Sequence, residues 1–446
     1  MILPLVASEQ AASSLFWGAR PPDDSDFLSF DPLALDYLGQ QVGLWLFPFF
    51  TTRTDRAQYY AVVLYGLFLA DEVTSGVASD EERVALFERW ERFWALAVLE
   101  SHGGKLGRGD PDAFRGIRGA SRWWKPGDGP LPLDFPLISR QQELGGLGAY
   151  LSSLRDYKLV LAGTLRPTPL AREIIMSLWD EPDSNARHSS YDAFADAALD
   201  PQRAHIERKI SGVTLAEIGR RTRLTSLVQR SRTRQQERLA RILLDEGPAP
   251  TPRLAELVQQ ATRAQEMATE PFLEGALAGR WGTLEPSLHA LLHFALAFGQ
   301  ASRTTLDAFH ALYSAVIDGG WVVDLTHVLP TVFTVDRLAQ LQQVSAAVLD
   351  DPMSARLRAL PVHASGFVQL LTTLRAAGAD EAFAALLRYH AAVQAERRSG
   401  PGWLRLQGGK LVVDMATYTG HLSDAPFPAF KLPAVRRLLA DLGRLA

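Results

Sequence analysis

The chemistry most concentrated along this chain is that of guanidinium. Residues 203–241 hold eleven basic side chains: Arg203, Arg208, Lys209, Arg220, Arg221, Arg223, Arg230, Arg232, Arg234, Arg238 and Arg241. Only Glu207, Glu217 and Glu237 oppose them, a local excess of +8, so the remainder of a chain of net charge −4 carries −12. Closely spaced arginines attract phosphates by releasing counterions, whatever the base sequence. A smaller basic group, Arg115, Arg118, Arg122 and Lys125, stands beside Trp123-Trp124. Cations beside aromatic rings can grip a single strand by charge and stacking. The competing reading is that the tandem Trp serves as core and lid, and that the arginines of 203–241 meet acidic surfaces of the chain itself.

Catalytic constellations are thin. Glu285, His289 and His293 recur every four residues on one helix face, but Ala290-Leu291-Leu292 lack the glutamate of the zincin motif. These histidines read as core or surface residues. Asp71-Glu72 end an aromatic helix with no second metal motif downstream, and read as a helix end. No phosphate-binding loop and no nucleophile elbow occur, and Gly145-Gly146-Leu147-Gly148 lacks the Rossmann spacing. Lys410 to Asp414 carries nuclease residue types in the wrong order. His390 with Glu396, Arg397 and Arg398 reads as a charged helix end leading to a turn. The sequence contains no cysteine, which excludes thiolate catalysis, zinc fingers and Cys-ligated clusters. No metal and no cofactor is expected; an enzyme with an unrecognised site stays as an alternative.

The elements that must position these residues are mostly helices. A composition of 47% hydrophobic and 22% charged residues supports an ordinary packed core. Asp55–Ala70 and Ser79–Ser101 are long, Pro-free and periodic, and Ser79 with Glu82 has the spacing of a capping box. Gly103–Pro136 is broken by Gly and Pro, with one short helix near Pro111–Trp124. Residues 186–245 read as helical and basic, Gly247–Pro252 as a linker, and helices run on to about Ala395, interrupted at Gly319-Gly320 and Pro330. Trp403–Gln407 and Lys410–Asp414 flank Gly408-Gly409, the signature of a β-hairpin. A last helix is expected over Leu432–Leu445. The expected divisions are 1–102, 103–135, 136–182, 186–246, 253–395 and 396–446. The longest apolar stretch, Tyr59–Ala70, is well short of the ~20 residues a spanning helix needs, so no membrane partner is expected. Met1–Val6 does not read as a signal peptide, and the expected location is cytoplasmic.

Residues 136–176 resemble a winged-helix module. The resemblance rests on a helix over Leu144–Tyr157, then Lys158-Leu159-Val160, a short wing at Leu161–Arg166, and Thr168-Pro169 opening the next helix. Lys158 stands where the family usually has Gly, and Ala171 where a Gly often follows Thr-Pro. Thr214–Thr225 also looks like a helix-turn-helix fragment. Together with the helical and hairpin patterns above, the expected fold is mainly α, a multi-domain helical protein with a small winged-helix-like α+β module, which the resemblance implies, and a C-terminal β-hairpin. The resemblance also implies nucleic-acid contact through Arg140, Ser152, Arg155 and Arg166, joined by Arg220, Arg221, Arg223, Arg230, Arg232 and Arg234 from the basic segment. The architecture is similar to accessory subunits of bacterial restriction and phage-defence systems, which implies a non-enzymatic DNA-associated subunit with a protein partner. The alternative is a helical scaffold whose Arg-rich segment docks on an acidic partner.

Overall fold

The structure is a computed structural model, and the protein is mainly helical with a small antiparallel sheet near its C-terminus. Described are residues 31–178 apart from 55, 75, 78, 108, 109, 111 and 125–132; residues 209, 210, 213 and 214; and residues 234–445 apart from 399, 400 and 415–424. They form two compact units. One comprises the described residues up to Gly39 with Phe294–Pro428, and the other Gln40–His293 with the C-terminal stretch from Ala429.

The second unit holds most of α1 (Leu35–Leu46), then α2 (Ala57–Val73), α3 (Asp80–Ser101), α4 (Ile117–Trp123), α5 (Gln141–Leu144), α6 (Gly146–Asp156) and α7 (Arg172–Ser177). It continues with β1 (Lys209–Ile210), β2 (Val213–Thr214), α8 (Arg234–Ala240), α9 (Thr251–Arg263) and α10 (Thr269–Leu277), and closes with the C-terminal helix (Leu432–Asp441). Its centre is α2. Every residue from Tyr60 to Tyr65 is fully buried, as expected of a helix apolar on all sides. Helix α3 packs along it, and Gly66 permits the approach: a Cβ there would lie 2.2 Å from Cδ1 of Trp90. The Trp90 indole then donates to the carbonyl of Val62 at 2.8 Å. Ser79 and Glu82 form the expected capping box at the start of α3.

Helix α6 leads into a tight hairpin and then α7. Lys158 takes a positive φ of 59°, and Val160 bridges Pro167. Thr168 sits at the N-cap position before Pro169, but its hydroxyl donates to the carbonyl of Lys158 at 2.7 Å instead of capping the helix. The expectation of a helical 186–245 needs correction where the chain is described. Lys209–Ile210 pairs antiparallel with Val213–Thr214, so these four residues are strand, and residues 215–233 lie outside the described residues.

The first unit contains most of α11 (Pro286–Asp318), then β3 (Val322–Asp324), α12 (Leu325–Val332), α13 (Val335–Asp350), α14 (Ser354–Arg358), α15 (Ala364–Leu374), α16 (Ala379–Arg398), β4 (Leu404–Gln407) and β5 (Lys410–Val413). The C-terminal helix of the other unit is α17. Pro330 lies inside α12 rather than interrupting the helical run. Gly408 and Gly409, with φ of 57° and 77°, close the expected hairpin in register Gln407↔Lys410. The structure adds β3 on the other side of β5, with Val322 opposite Val412. Trp403 anchors the sheet, its ring 5.3 Å from Tyr313 and 5.5 Å from Phe309. No helix among the described residues is long and apolar enough to cross a membrane.

Candidate anion-binding cleft

A cleft of about 620 Å³ opens in the unit built around α2. Its walls carry Arg56 at the N-cap position of α2, Arg115 just before α4, Arg118 and Arg122 on α4, and Arg437 on α17. Tyr59, Tyr150 and Ser139 add hydroxyls, and Phe114, Ile117, Leu137 and Ile138 supply apolar surface. No carboxylate belongs to the lining among the described residues. Five guanidiniums around one concavity raise the local positive potential and concentrate anions there.

Packing sets this geometry. Arg118 and Arg122 are four residues apart and so share a helix face. Gly119, between them, lets the irregular segment Pro136–Ser139 cross α4 closely, since a Cβ there would lie 2.1 Å from the carbonyl oxygen of Leu137. The chain beyond that segment is held by Glu91, a fully buried carboxylate on α3. Glu91 accepts from the backbone N–H of Gly146 at 2.6 Å and from the side-chain amide of Gln141 at 2.8 Å. The carboxylate thereby caps α6, where the helix dipole favours a negative group. Burial nevertheless pushes the Glu91 carboxyl up from the ordinary range, and the two hydrogen bonds oppose that shift. Gly146 is required here, because a Cβ would lie 2.8 Å from Oε1 of Glu91.

Two tyrosines at the back of the cleft place two of its arginines. The Tyr59 hydroxyl accepts the backbone N–H of Arg115 at 2.9 Å. The Tyr150 hydroxyl accepts the backbone N–H of Arg56 at 3.1 Å and donates to the carbonyl of Arg56 at 3.0 Å. Asp441 completes the support: its carboxylate accepts from the N–H of Ala57 at 3.1 Å and faces the Arg56 guanidinium at 3.4 Å. Part of the Arg56 charge is thereby balanced. The Arg115 guanidinium donates to the carbonyl of Arg53 at 2.7 Å. Arg118 and Arg122 are exposed and make no ion pair among the described residues.

The tandem tryptophans divide. The Trp124 indole donates to Glu100 at 2.8 Å, and its ring fills the space that Gly104 leaves by having no side chain. Trp123 remains 43% exposed and stacks on Phe135 with ring centroids 6.0 Å apart.

The residues expected to touch nucleic acid are placed differently. Arg140 pairs with Glu143 at 3.3 Å on the surface, and Ser152 is exposed on α6. Arg155 donates to the carbonyl of Thr164 at 2.8 Å and so braces the hairpin. Arg166 donates to the carbonyl of Gly76 and lies 3.9 Å from Asp71. Arg220, Arg221, Arg223, Arg230 and Arg232 lie outside the described residues, as does the side chain of Arg234 at the start of α8. At the end of the basic segment, Arg241 pairs with Glu173 at 2.5 Å and Glu246 at 3.6 Å, and Arg238 donates to the carbonyl of Glu173 at 3.3 Å. These two are engaged by the chain itself. Of the smaller basic group, Arg115, Arg118 and Arg122 converge on the cleft, while Lys125 lies outside the described residues. Arg56 and Arg437 were not legible as partners; each is far away in sequence and no local pattern marks it.

Of the other candidates, His289 and His293 are exposed on α11, and the rest make ion-pair or core contacts. The rings of His289 and His293 lie nearly parallel, 6.5 Å apart, and no group of three or more potential metal ligands converges among the described residues. Asp71 pairs with the buried Arg83. His390 is fully buried, with Nδ1 2.9 Å from the carbonyl of Pro32 and its ring 4.8 Å from Trp403. Glu396 pairs with His363 at 3.1 Å and Arg397 with Asp31 at 3.5 Å. No protein-family model matches this chain, no curated protein is significantly similar to it, and no solved structure matches its fold.

Proposed function

We propose that this protein is a non-enzymatic nucleic-acid-binding protein, working as a subunit of a larger assembly, and that the arginine cleft holds the phosphate backbone. The observation that carries this reading is the convergence of Arg56, Arg115, Arg118, Arg122 and Arg437 on a cleft with no carboxylate in its described lining. Guanidinium is planar, always charged and able to donate two parallel hydrogen bonds, which suits it to phosphate oxygens. DNA is the expected form, through the resemblance of residues 136–176 to a winged helix, with the basic segment 203–241 as a second phosphate-facing element.

The test is equilibrium binding of labelled DNA across a salt series. Binding should weaken steeply with salt, and Arg118→Ala with Arg122→Ala should lower the slope of log K against log salt by about 2. Both side chains are exposed, so the fold should tolerate their loss. Wild-type protein that shows no salt-dependent affinity for nucleic acid removes this reading. If changing Arg230, Arg232 and Arg234 to Ala leaves DNA affinity untouched but abolishes a complex with an acidic protein partner, the scaffold reading replaces it.

A further inference from the structure

We infer that the cleft takes a single nucleic-acid strand rather than a duplex, with one base stacked on the exposed face of Trp123. The inference rests on the nucleic-acid reading above and names the form of the ligand. Two observations carry it. The first is size: at about 620 Å³ the cleft has the volume of a site for one medium-sized molecule. A duplex, whose major groove alone is about 12 Å wide, cannot enter such a space; an unpaired segment can. The second is the side chain next to the arginines. Trp123 directly follows Arg122 at the end of α4, and it keeps 43% of its surface exposed although the neighbouring Trp124 is drawn inward.

Phe135 makes Trp123 a fixed platform. It stacks on one side of the indole at an interplanar angle of 27°, and the chain then continues directly into Pro136–Ser139, the cleft wall. Trp123, the last residue of α4, is thus fixed against the residue that leads into that wall, beside the cleft rather than in its lining. Phosphates of a strand lying along α4 meet Arg118 and Arg122, and an adjoining base meets the indole. Charge along the backbone with aromatic stacking for the bases is how proteins hold unpaired strands without reading their sequence. A paired base, stacked on its neighbours, has no free face to offer.

Fluorescence anisotropy on the full chain tests this with three labelled probes of equal length at one salt concentration: an oligodeoxythymidylate, its duplex with the complementary strand, and an abasic strand with the same phosphates. The thymidylate should bind tightest, and the abasic strand about 5- to 150-fold more weakly, the worth of one stacked base. This comparison uses wild-type protein and does not depend on a variant folding. Trp123→Ala should bring thymidylate down to the abasic level, and Trp123→Phe should retain most of the affinity. A duplex bound as tightly as the single strand, or an abasic strand bound as tightly as thymidylate, overturns the inference and leaves the nucleic-acid reading standing. Absent binding of all three probes overturns both.

Discussion

Tyr59 and Tyr150 stack with ring centroids 5.2 Å apart and planes 18° from parallel, and each hydroxyl is hydrogen-bonded to the backbone of an arginine of the cleft. Tyr59 comes from α2 and Tyr150 from α6. One aromatic pair therefore joins the helices of the core and sets where Arg56 and Arg115 emerge. Burial pushes both Tyr59 and the neighbouring Tyr60 up from the ordinary phenol range, so both remain neutral hydrogen-bonding groups across the working pH range.

Tyr150→Phe keeps the stack but removes the hydroxyl. The backbone N–H and carbonyl of Arg56 then lose that partner. An unsatisfied buried group costs more than a hydrogen bond adds on average, so the expected loss is about 1–3 kcal/mol. Urea denaturation should show a lower midpoint at unchanged slope. DNA affinity should fall as well, because Arg56 is no longer held in place; an unchanged midpoint would show that the hydroxyl has no structural role.

Lys431 gives a dependence on alkaline pH. Its ammonium is buried at the start of α17 and donates to the carbonyl of Phe50 at 2.5 Å. Burial pushes it down to about 7. Between about 7 and the ordinary lysine value near 10.4, the unfolded chain holds a proton that the folded chain has released. The unfolded state binds more protons there, so this group makes the fold more stable as pH rises through that window and less stable as pH falls towards 7. The window is free of thiol titration, since the chain has no cysteine. Denaturation midpoints measured across it should rise for wild type and flatten for Lys431→Met. Equal slopes for the two proteins would contradict the assignment.

Gly66→Ala sets two effects against each other. Alanine is favoured over glycine within a helix by about 1 kcal/mol. Here the added Cβ would lie 2.2 Å from Trp90 and 2.8 Å from Phe87, both fully buried. Overpacking of that kind costs about 1–3 kcal/mol, and the closeness of the clash puts this site at the upper end. Net destabilisation is expected, with a change in the near-ultraviolet dichroism of Trp90 as α2 and α3 separate. Stabilisation would mean the helices part without cost.

The sequence by itself determined what local spacing can encode. Apolar residues crowded between Tyr59 and Ala70, the Ser79–Glu82 capping pair, and Gly408-Gly409 between two alternating runs each act within a few residues, and each stands where expected. The mainly helical class follows from the same signals. Contacts between distant segments were decided only by the tertiary structure. β3 is three residues long and becomes a strand because β5 offers it a partner. Trp123 and Trp124 are adjacent and identical in type, yet only packing against Gly104 and Phe135 sends one inward and leaves the other exposed. The cleft depends on such long-range placement most of all. Arg115, Arg118 and Arg122 could be seen together along the chain, but Arg56 and Arg437 join them through Tyr150, Asp441 and the packing of α17, and side-chain charge carries no record of which distant helix it will face.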